Sequence, residues 1–372
     1  MRIAVLSAAR SIHTVRWVNA LAARGHSVEL YSLGAHRTDY DRFDSGVGVH
    51  YLPGSGAAGY FFGARRLRAM LTQFDPDVLS AHYATGYGTL ARRSGIRPLL
   101  LSVWGADVYE FPEKNAFSKR LVQLNLGAAD AIASTSCVMA ERVRELGGQD
   151  KKIYITPFGV DTGIFSPAQA PHAGPLTIGT VKALEPKYGI DYLLRAFSLL
   201  HKRLTREGRL PEGGLRLVIY GAGSEEKALR GLGDELGITG ITQFRGRIPY
   251  SQVPDALREM DIFCALSVED SESFGVSAVE AMACGLPVVT SDADGFREVM
   301  KDGATGFIVP KRDQVTAANK LRELCADPEL RRLMGGAGRE RVKSLYEWDR
   351  CVDAMEQALR RTAAGTGGGE RA

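Results

Sequence analysis

Residues 262–289, IFCALSVEDSESFGVSAVEAMACGLPVV, hold the pattern from which the rest of the chain can be read. The apolar run at 262–266 predicts a buried strand, and past the acidic loop the apolar positions change to helical period at Val276. Cys284 and Gly285 end that helix, and Pro287 opens a second strand, PVVTS. Strand, loop, helix and strand in this order form one crossover unit of a parallel sheet. Free backbone N–H groups at such a helix start make an anion site. Glu272 in the loop and Glu280 one turn into the helix bracket it, and Phe274-Gly275 lets a ligand come close to the backbone. Taken singly, two such glutamates are more often a solvated face.

Upstream, LTIGTV and then KALEPKYGIDYLLRAFSLL repeat the theme. Ile190, Leu193, Leu194, Phe197 and Leu200 keep helical spacing, so Lys182 and Lys187 fall in a strand-to-helix loop, where isolated lysines are usually solvated. RLVIYGAGSEEKAL supplies the next strand and a turn with Gly221 and Gly223, a weak motif by itself because any tight turn uses glycine. Asp292-Ala293-Asp294 has the look of a metal-binding DxD. We read it as part of a structural turn and assign no metal site.

The first 160 residues alternate strands, IAVLS, SVELYSL, VGVHYLP, DVLSAH, PLLLSVW, AIAST and IYITPF, with helical patterns. That alternation predicts a parallel sheet covered on both faces, the doubly wound α/β class. Ligands of such sheets lie at the carboxyl ends of strands. His82-Tyr83 and Trp104 to Asp107 occupy two such ends, and SAARSIHTVRW, with Ser11, His13, Thr14 and Arg16, follows the first strand. A single histidine is more often structural than catalytic, and Ser11 or Thr14 serves equally well as a helix cap.

With 372 residues the chain exceeds one ordinary core, so two domains are expected. The boundaries read as 1–166, a small proline-rich linker at 167–175, a second domain at 176–344, a terminal helix at 345–362 returning to the first domain, and a disordered tail at 363–372. A balance of 47 basic against 43 acidic residues excludes an extended nucleic-acid surface. Five scattered cysteines suit reduced core thiols rather than disulfides. No signal peptide or membrane span is read, and the expected location is cytoplasmic. YFFGARRLRAMLTQF sets Arg65, Arg66 and Arg68 beside Phe61 and Phe62, a face suited to peripheral membrane contact or, more plainly, a sheet-covering helix with exposed arginines.

ESFGVSAVEAMACGLPVV resembles the signature of the retaining family-4 glycosyltransferases (glycosyl transferases group 1), in which two glutamates flank FG ahead of an EAMACGxPVV helix and strand. ITPFGVDTGIFSP is similar to that family's NGVDxxxFxP segment, with Phe158 where asparagine is usual. The resemblance implies the GT-B fold, two Rossmann-like domains facing across a cleft, and a nucleotide-sugar donor, with no cofactor. It gives Glu272, with the backbone of Phe274, Gly275 and Val276, to the sugar hydroxyls, and Glu280 to the nucleotide ribose. The family reads GRLxxxKG where this chain has Lys182 and Lys187, so these would clamp the donor diphosphate, without bidentate geometry at 182. Gly221, Gly223, Arg247 and Ile248 fall where relatives approach the nucleotide, and the catalytic set would include His82. His13, Arg16 and Asp107 fall on the acceptor or sugar side. The first loop lacks the family's paired glycines, and Trp104 replaces a histidine.

Departure of a nucleoside diphosphate builds negative charge on the leaving oxygens, which an enzyme without a metal must offset with cations and N–H groups. The expected function is retaining transfer of a hexose-type sugar to a hydroxyl acceptor, in bacterial polysaccharide, glycolipid or glycoconjugate synthesis, the diphosphate accepting the proton. The alternatives are a non-catalytic glycosyltransferase-like partner subunit and a GT-B nucleotide-sugar epimerase.

Overall fold

The strands predicted for the first 160 residues pair with one another alone. In the computed structural model, which describes residues 1–38, 42–170 and 174–365, they are β1 (Arg2–Leu6), β2 (Ser27–Leu33), β3 (Val47–Leu52), β4 (Val78–His82), β5 (Leu99–Val103), β6 (Ala131–Ser134) and β7 (Lys152–Ile155). Their order is β3-β2-β1-β4-β5-β6-β7, and each neighbouring pair is parallel. Ile3, Leu6, Leu79, Leu101 and Ile132 are wholly buried, as runs covered on both faces must be. The order reverses between β1 and β4, and the loops leaving these two strands open the crevice where ligands of such sheets lie.

A second sheet repeats the plan with β8 (Leu176–Val181), β9 (Leu215–Tyr220), β10 (Thr242–Gly246), β11 (Ile262–Ala265), β12 (Val288–Ser291) and β13 (Gly306–Val309), in the order β10-β9-β8-β11-β12-β13. Here the switch lies between β8 and β11. The helix Ile190–Glu207 covers this sheet with Leu193, Leu194, Phe197, Leu200 and Leu204, all buried. β13 lies within a stretch read from sequence only as a turn and its continuation. It forms because GFIV pairs with β12 and Phe307 and Val309 enter the core.

Two compact units result, Met1–Phe158 with Asp349–Ala372, and Gly159–Trp348. The boundary at 166 moves back to Phe158. Residues 159–166 are held in the second unit by Val160, which donates to Tyr346 O at 2.9 Å, and by Arg339, which donates to Thr162 O at 3.1 Å and Phe165 O at 3.0 Å. The terminal helix begins at Trp348, not 345, because Leu345 still closes the helix Pro328–Leu345. It runs to Ala364, past the expected 362, and the rest of the expected disordered tail lies almost wholly outside the described residues. Val352, Met355 and Leu359 bury its inner face in the first unit, and Arg24 fastens it there by hydrogen bonds to Asp353, to Glu356 at 3.2 Å and to Asp349 O at 3.0 Å. Residues 171–173 of the expected linker also lie outside the described set. Among the described residues no helix is long and apolar enough to cross a membrane.

Candidate functional site

In the second unit the loops after β8 and β11, at the switch point, bring charged side chains together. Lys182 Nζ is paired with Glu272 Oε2, and the two side chains are only 10% and 9% exposed. Ser267 Oγ donates to the same oxygen at 3.1 Å. Lys182 Nζ also lies 4.8 Å from the Tyr188 ring centre, and Lys187 Nζ lies 5.3 Å from the same ring. A single aromatic ring thus attracts both ammonium groups, an attraction strengthened where water is excluded.

Glycines shape the backbone around this pair. Gly275 precedes the helix Val276–Ala283 with φ 79°, and a Cβ there would stand 2.7 Å from the Phe296 ring. Only glycine accommodates both the left-handed backbone and the ring. Gly221 adopts φ 146°, and a Cβ on it would meet Lys182 O at 1.8 Å; one on Gly223 would meet Leu184 O at 2.2 Å. These two glycines therefore let the loop after β9 lie against the Lys182 loop, which Lys182 N to Tyr220 O (2.9 Å) and Leu184 N to Ala222 O (3.1 Å) tie down. Phe274 is buried with its ring edge-on to Tyr346. Glu280 is 5% exposed, within the first turns of the Val276–Ala283 helix. Arg247, exposed, and Ile248, half-buried, follow the edge strand β10, on the far side of β9 from β8.

The DxD stretch is tied to Lys311 through its backbone, while the ammonium of that lysine goes to a neighbouring carboxylate. Asp292 accepts from Lys311 N at 2.9 Å, and the Lys311 ammonium pairs with Asp270 at 2.7 Å. Burial, and then the nearby Asp270 charge, push the Asp294 carboxyl above its usual range. Among the described residues no group of His, Cys, Asp and Glu could hold a metal ion.

In the first unit the corresponding edge is aromatic. His13, in the helix Ile12–Ala23 after β1, stacks on Phe158 at 4.1 Å between ring centres and meets Trp104 edge-on at 5.8 Å. His82, the last residue of β4, lies 4.8 Å from Trp104, and Tyr83 lies 5.6 Å from it. Burial, helped by the Arg16 charge, lowers the His13 pKa to about 4, and burial with the neighbouring His13 lowers that of His82 to about 3. Both imidazoles are therefore neutral near pH 7. Ser11 caps nothing with its side chain, and Thr14 instead bonds Ser7 Oγ at 2.7 Å, tying the helix start to the end of β1.

Asp107 departs from its expected place among ligand-binding groups. It is 1% exposed, its Oδ2 accepts from Ala84 N at 2.7 Å, and its Oδ1 accepts from Trp104 N at 3.1 Å and Gly105 N at 2.9 Å. The carboxylate is spent on fixing the two loops that carry His82 and Trp104. Sequence reading passed over Tyr188 and Ser267, whose only signal was nearness to the lysine and glutamate they serve. It placed Tyr83 at a strand end, but no sequence pattern announces its φ of 78°. On the outer surface, the helix Ala64–Phe74 buries Leu67 and Leu71 while Arg65, Arg66 and Arg68 face solvent beside Phe62, which is 82% exposed.

Known proteins resemble both halves of the chain. Residues 164–341 match the family Glycosyl transferases group 1, and residues 2–136 match the family Glycosyl transferase 4-like. The chain is 28% identical over 366 residues to a phosphatidyl-myo-inositol mannosyltransferase of Mycolicibacterium smegmatis, covering 95% of this chain and 90% of that protein. It is 29% identical over 310 residues to a D-inositol 3-phosphate glycosyltransferase of Kribbella flavida, covering 76% and 71% respectively. Its fold is similar to that of a sucrose-phosphate synthase from Thermosynechococcus elongatus, with a TM-score of 0.84, 21% identity, and coverage of 98% of this chain and 100% of the other. It is also similar to Anabaena HepE in complex with UDP, with a TM-score of 0.79, 17% identity, and coverage of 97% and 100%.

Proposed function

Since the chain belongs to the group 1, family-4-like glycosyltransferases, we propose that it moves a hexose-type sugar from a nucleoside diphosphate to a hydroxyl acceptor, with retention of configuration and without a metal. The observation that carries this reading is the meeting of Lys182, Lys187 and Glu272 around Tyr188 at the switch point of the second sheet. Ammonium groups held there in advance stabilise charge as it develops on the departing diphosphate, at no reorganisation cost. Lys182 is shared: paired with Glu272, it also serves the donor phosphate. Glu272 then accepts from sugar hydroxyls, and Glu280 accepts from the ribose.

The second unit takes the donor in this reading, and the first unit takes the acceptor. His82 is too weakly basic to remove the acceptor proton at neutral pH, since a useful base has a pKa near the working pH. It acts through hydrogen bonds, and the leaving diphosphate takes the proton. The Lys311 ammonium on Asp270, and the Lys311 backbone N–H on Asp292, support a donor site that works without a divalent ion. The mannosyl transfer named for the M. smegmatis relative supports a hexose donor in glycolipid or polysaccharide synthesis. Exposed Phe62 with Arg65, Arg66 and Arg68 supports peripheral contact of the first unit with a membrane surface.

The test is a thermal shift of the purified chain with UDP, GDP, ADP and dTDP, in EDTA and in Mg²⁺, followed by NMR of the anomeric product formed from the matching nucleotide sugar. One nucleotide stabilises the protein in EDTA, and the product keeps the donor's configuration. If no nucleotide stabilises it, the donor site is vacated by evolution and the chain is a non-catalytic partner subunit. Stabilisation only with Mg²⁺ overturns the metal-free reading.

A further inference from the structure

At the edge of the first sheet, away from the loops after β1 and β4, β2 and β3 set two residue pairs side by side. Glu29 lies opposite Gly48, and Tyr31 lies opposite His50, in the parallel register. Positions two apart share one face of a strand. That face meets the helix Ala64–Phe74, where Met70 and Phe74 join the same lining. The Tyr31 and His50 rings stack with centres 4.9 Å apart and planes 18° apart. His50 Nε2 is paired with Glu29 Oε2. Gly48 makes that pairing possible, because a Cβ there would collide with the Glu29 carboxylate. Glycine inside a strand marks a close approach of this kind.

Between these strands and the helix lies a pocket of about 310 Å³, lined by Glu29, Tyr31, His50, Met70, Gln73 and Phe74. Two of its polar groups are left open. Tyr31 is 2% exposed, yet its hydroxyl has no hydrogen-bond partner among the described residues. Buried polar atoms of a folded chain are almost always paired, by protein or by something else. A carboxylate accepts at two oxygens, and Glu29 uses only Oε2, on His50. Burial, and then the Glu29 charge, push the Tyr31 phenol up to about 12, so the carboxylate and the hydroxyl lie within reach of one another's field. No basic side chain besides His50 lines the pocket. Arg66, one turn before Met70, is exposed and forms no ion pair with Glu29 among the described residues, and Arg2 is engaged by Asp75 at 2.8 Å.

These groups select a ligand chemistry. An anion would meet the Glu29 carboxylate with no free cation to hold it. A metal ion would find one imidazole and one carboxylate, and among the described residues no group of such ligands could hold one. A neutral hydroxyl compound would pair with the open atoms but draw nothing from the carboxylate charge. A protonated amine answers each feature. Its N–H groups match the two open acceptors, its charge suits aromatic faces, and its carbon body suits a thioether and a phenyl ring. The volume is at the small end of ligand pockets, which points to a small molecule. We propose that this pocket binds a small organic ammonium ion, whose N–H groups donate to Glu29 Oε1 and the Tyr31 hydroxyl and whose carbon body lies on Met70 and Phe74. The pocket is separate from both switch points, and its test does not rest on the transferase reading.

Ligand-detected saturation-transfer NMR on the full chain near neutral pH tests this, with benzylamine and butylamine as probes. Benzyl alcohol, benzoate and benzyltrimethylammonium are the controls, which lack the charge, reverse it, or keep it without an N–H. Both amines bind saturably, and each control binds at least about tenfold more weakly than benzylamine. Glu29→Gln, which removes the charge, brings benzylamine down to the level of benzyl alcohol, and Tyr31→Phe weakens it about threefold. Met70→Lys leaves the Glu29–His50 pair in place and puts an ammonium of the chain itself at the pocket, so benzylamine binding falls at least about tenfold. The unfolding temperature of each unliganded variant reports that it is folded. Equal affinity for benzylamine and either benzyl alcohol or benzyltrimethylammonium overturns the proposal. So does the lack of saturable amine binding up to about 10 mM, or amine binding unchanged in both Glu29→Gln and Met70→Lys.

Discussion

The two switch points solve different problems with the same sheet order. Around β8 and β11 the loops bring charges together, with Lys182 against Glu272 and both lysines on Tyr188. Around β1 and β4 they bring rings together, with His13, His82 and Tyr83 about Trp104. The charged edge draws on a few loops and their glycines, which hold its side chains in fixed places. The aromatic edge draws on residues from distant strand ends, with the Arg16 charge close to His13. What the fold holds constant is the place, and what it leaves free is the chemistry.

Removing the charge at one edge is the strongest way to break this contrast. Glu272→Ala leaves the nearly buried Lys182 ammonium without its carboxylate, destabilising the second unit by about 3–5 kcal/mol as broken buried pairs do. Turnover falls by roughly 10²–10³. Calorimetry and initial rates check the two effects separately, and an unchanged rate would remove Glu272 from the reaction. Next is Gly275→Ala, which forces a left-handed backbone and a Cβ against Phe296. The nucleotide thermal shift should vanish, with a stability loss of about 1–3 kcal/mol. Lys187→Ala, farther from the buried pair, should lower kcat about tenfold with a smaller change in KM for the nucleotide sugar, measured by steady-state kinetics.

A test of another kind, by pH, belongs to the aromatic edge and reads the charge state of its imidazoles. His13 and His82 have folded pKa values of about 4 and about 3, below the ordinary 6.5. Between pH 6.5 and about 4 the unfolded chain therefore binds more protons than the folded one, and stability is lost as pH falls through that window. The slope reaches up to about 1.4 kcal/mol per pH unit for each imidazole. His82→Asn should flatten the fall of Tm with acidity, followed by tryptophan fluorescence from pH 7 to 4. A slope equal to that of the parent chain would mean that His82 is charged and that the edge is not neutral.

Legibility followed the same division. The doubly wound parallel class was within reach of the sequence because its apolar runs alternate with amphipathic helices, and IAVL or VLSAH admits no other buried use. The charged edge was legible because Glu272, Gly275 and Lys187 act from one or two loops, and a glycine forced to φ 79° leaves its mark at that position. Asp107 misled because an aspartate at a strand end reads the same whether its oxygens face a ligand or three backbone N–H groups. The ring cluster was illegible because Trp104 and Phe158 become neighbours only when β5 and β7 lie in one sheet, and no local pattern records that.

Arg24 near the start of the chain clasps the helix Trp348–Ala364 near its end. The ribosome therefore finishes the middle of this molecule before it finishes the beginning. While the residues of the second unit emerge, the first must wait with the surface destined for Val352, Met355 and Leu359 uncovered. That interval is when a nascent chain of this design has most need of a chaperone.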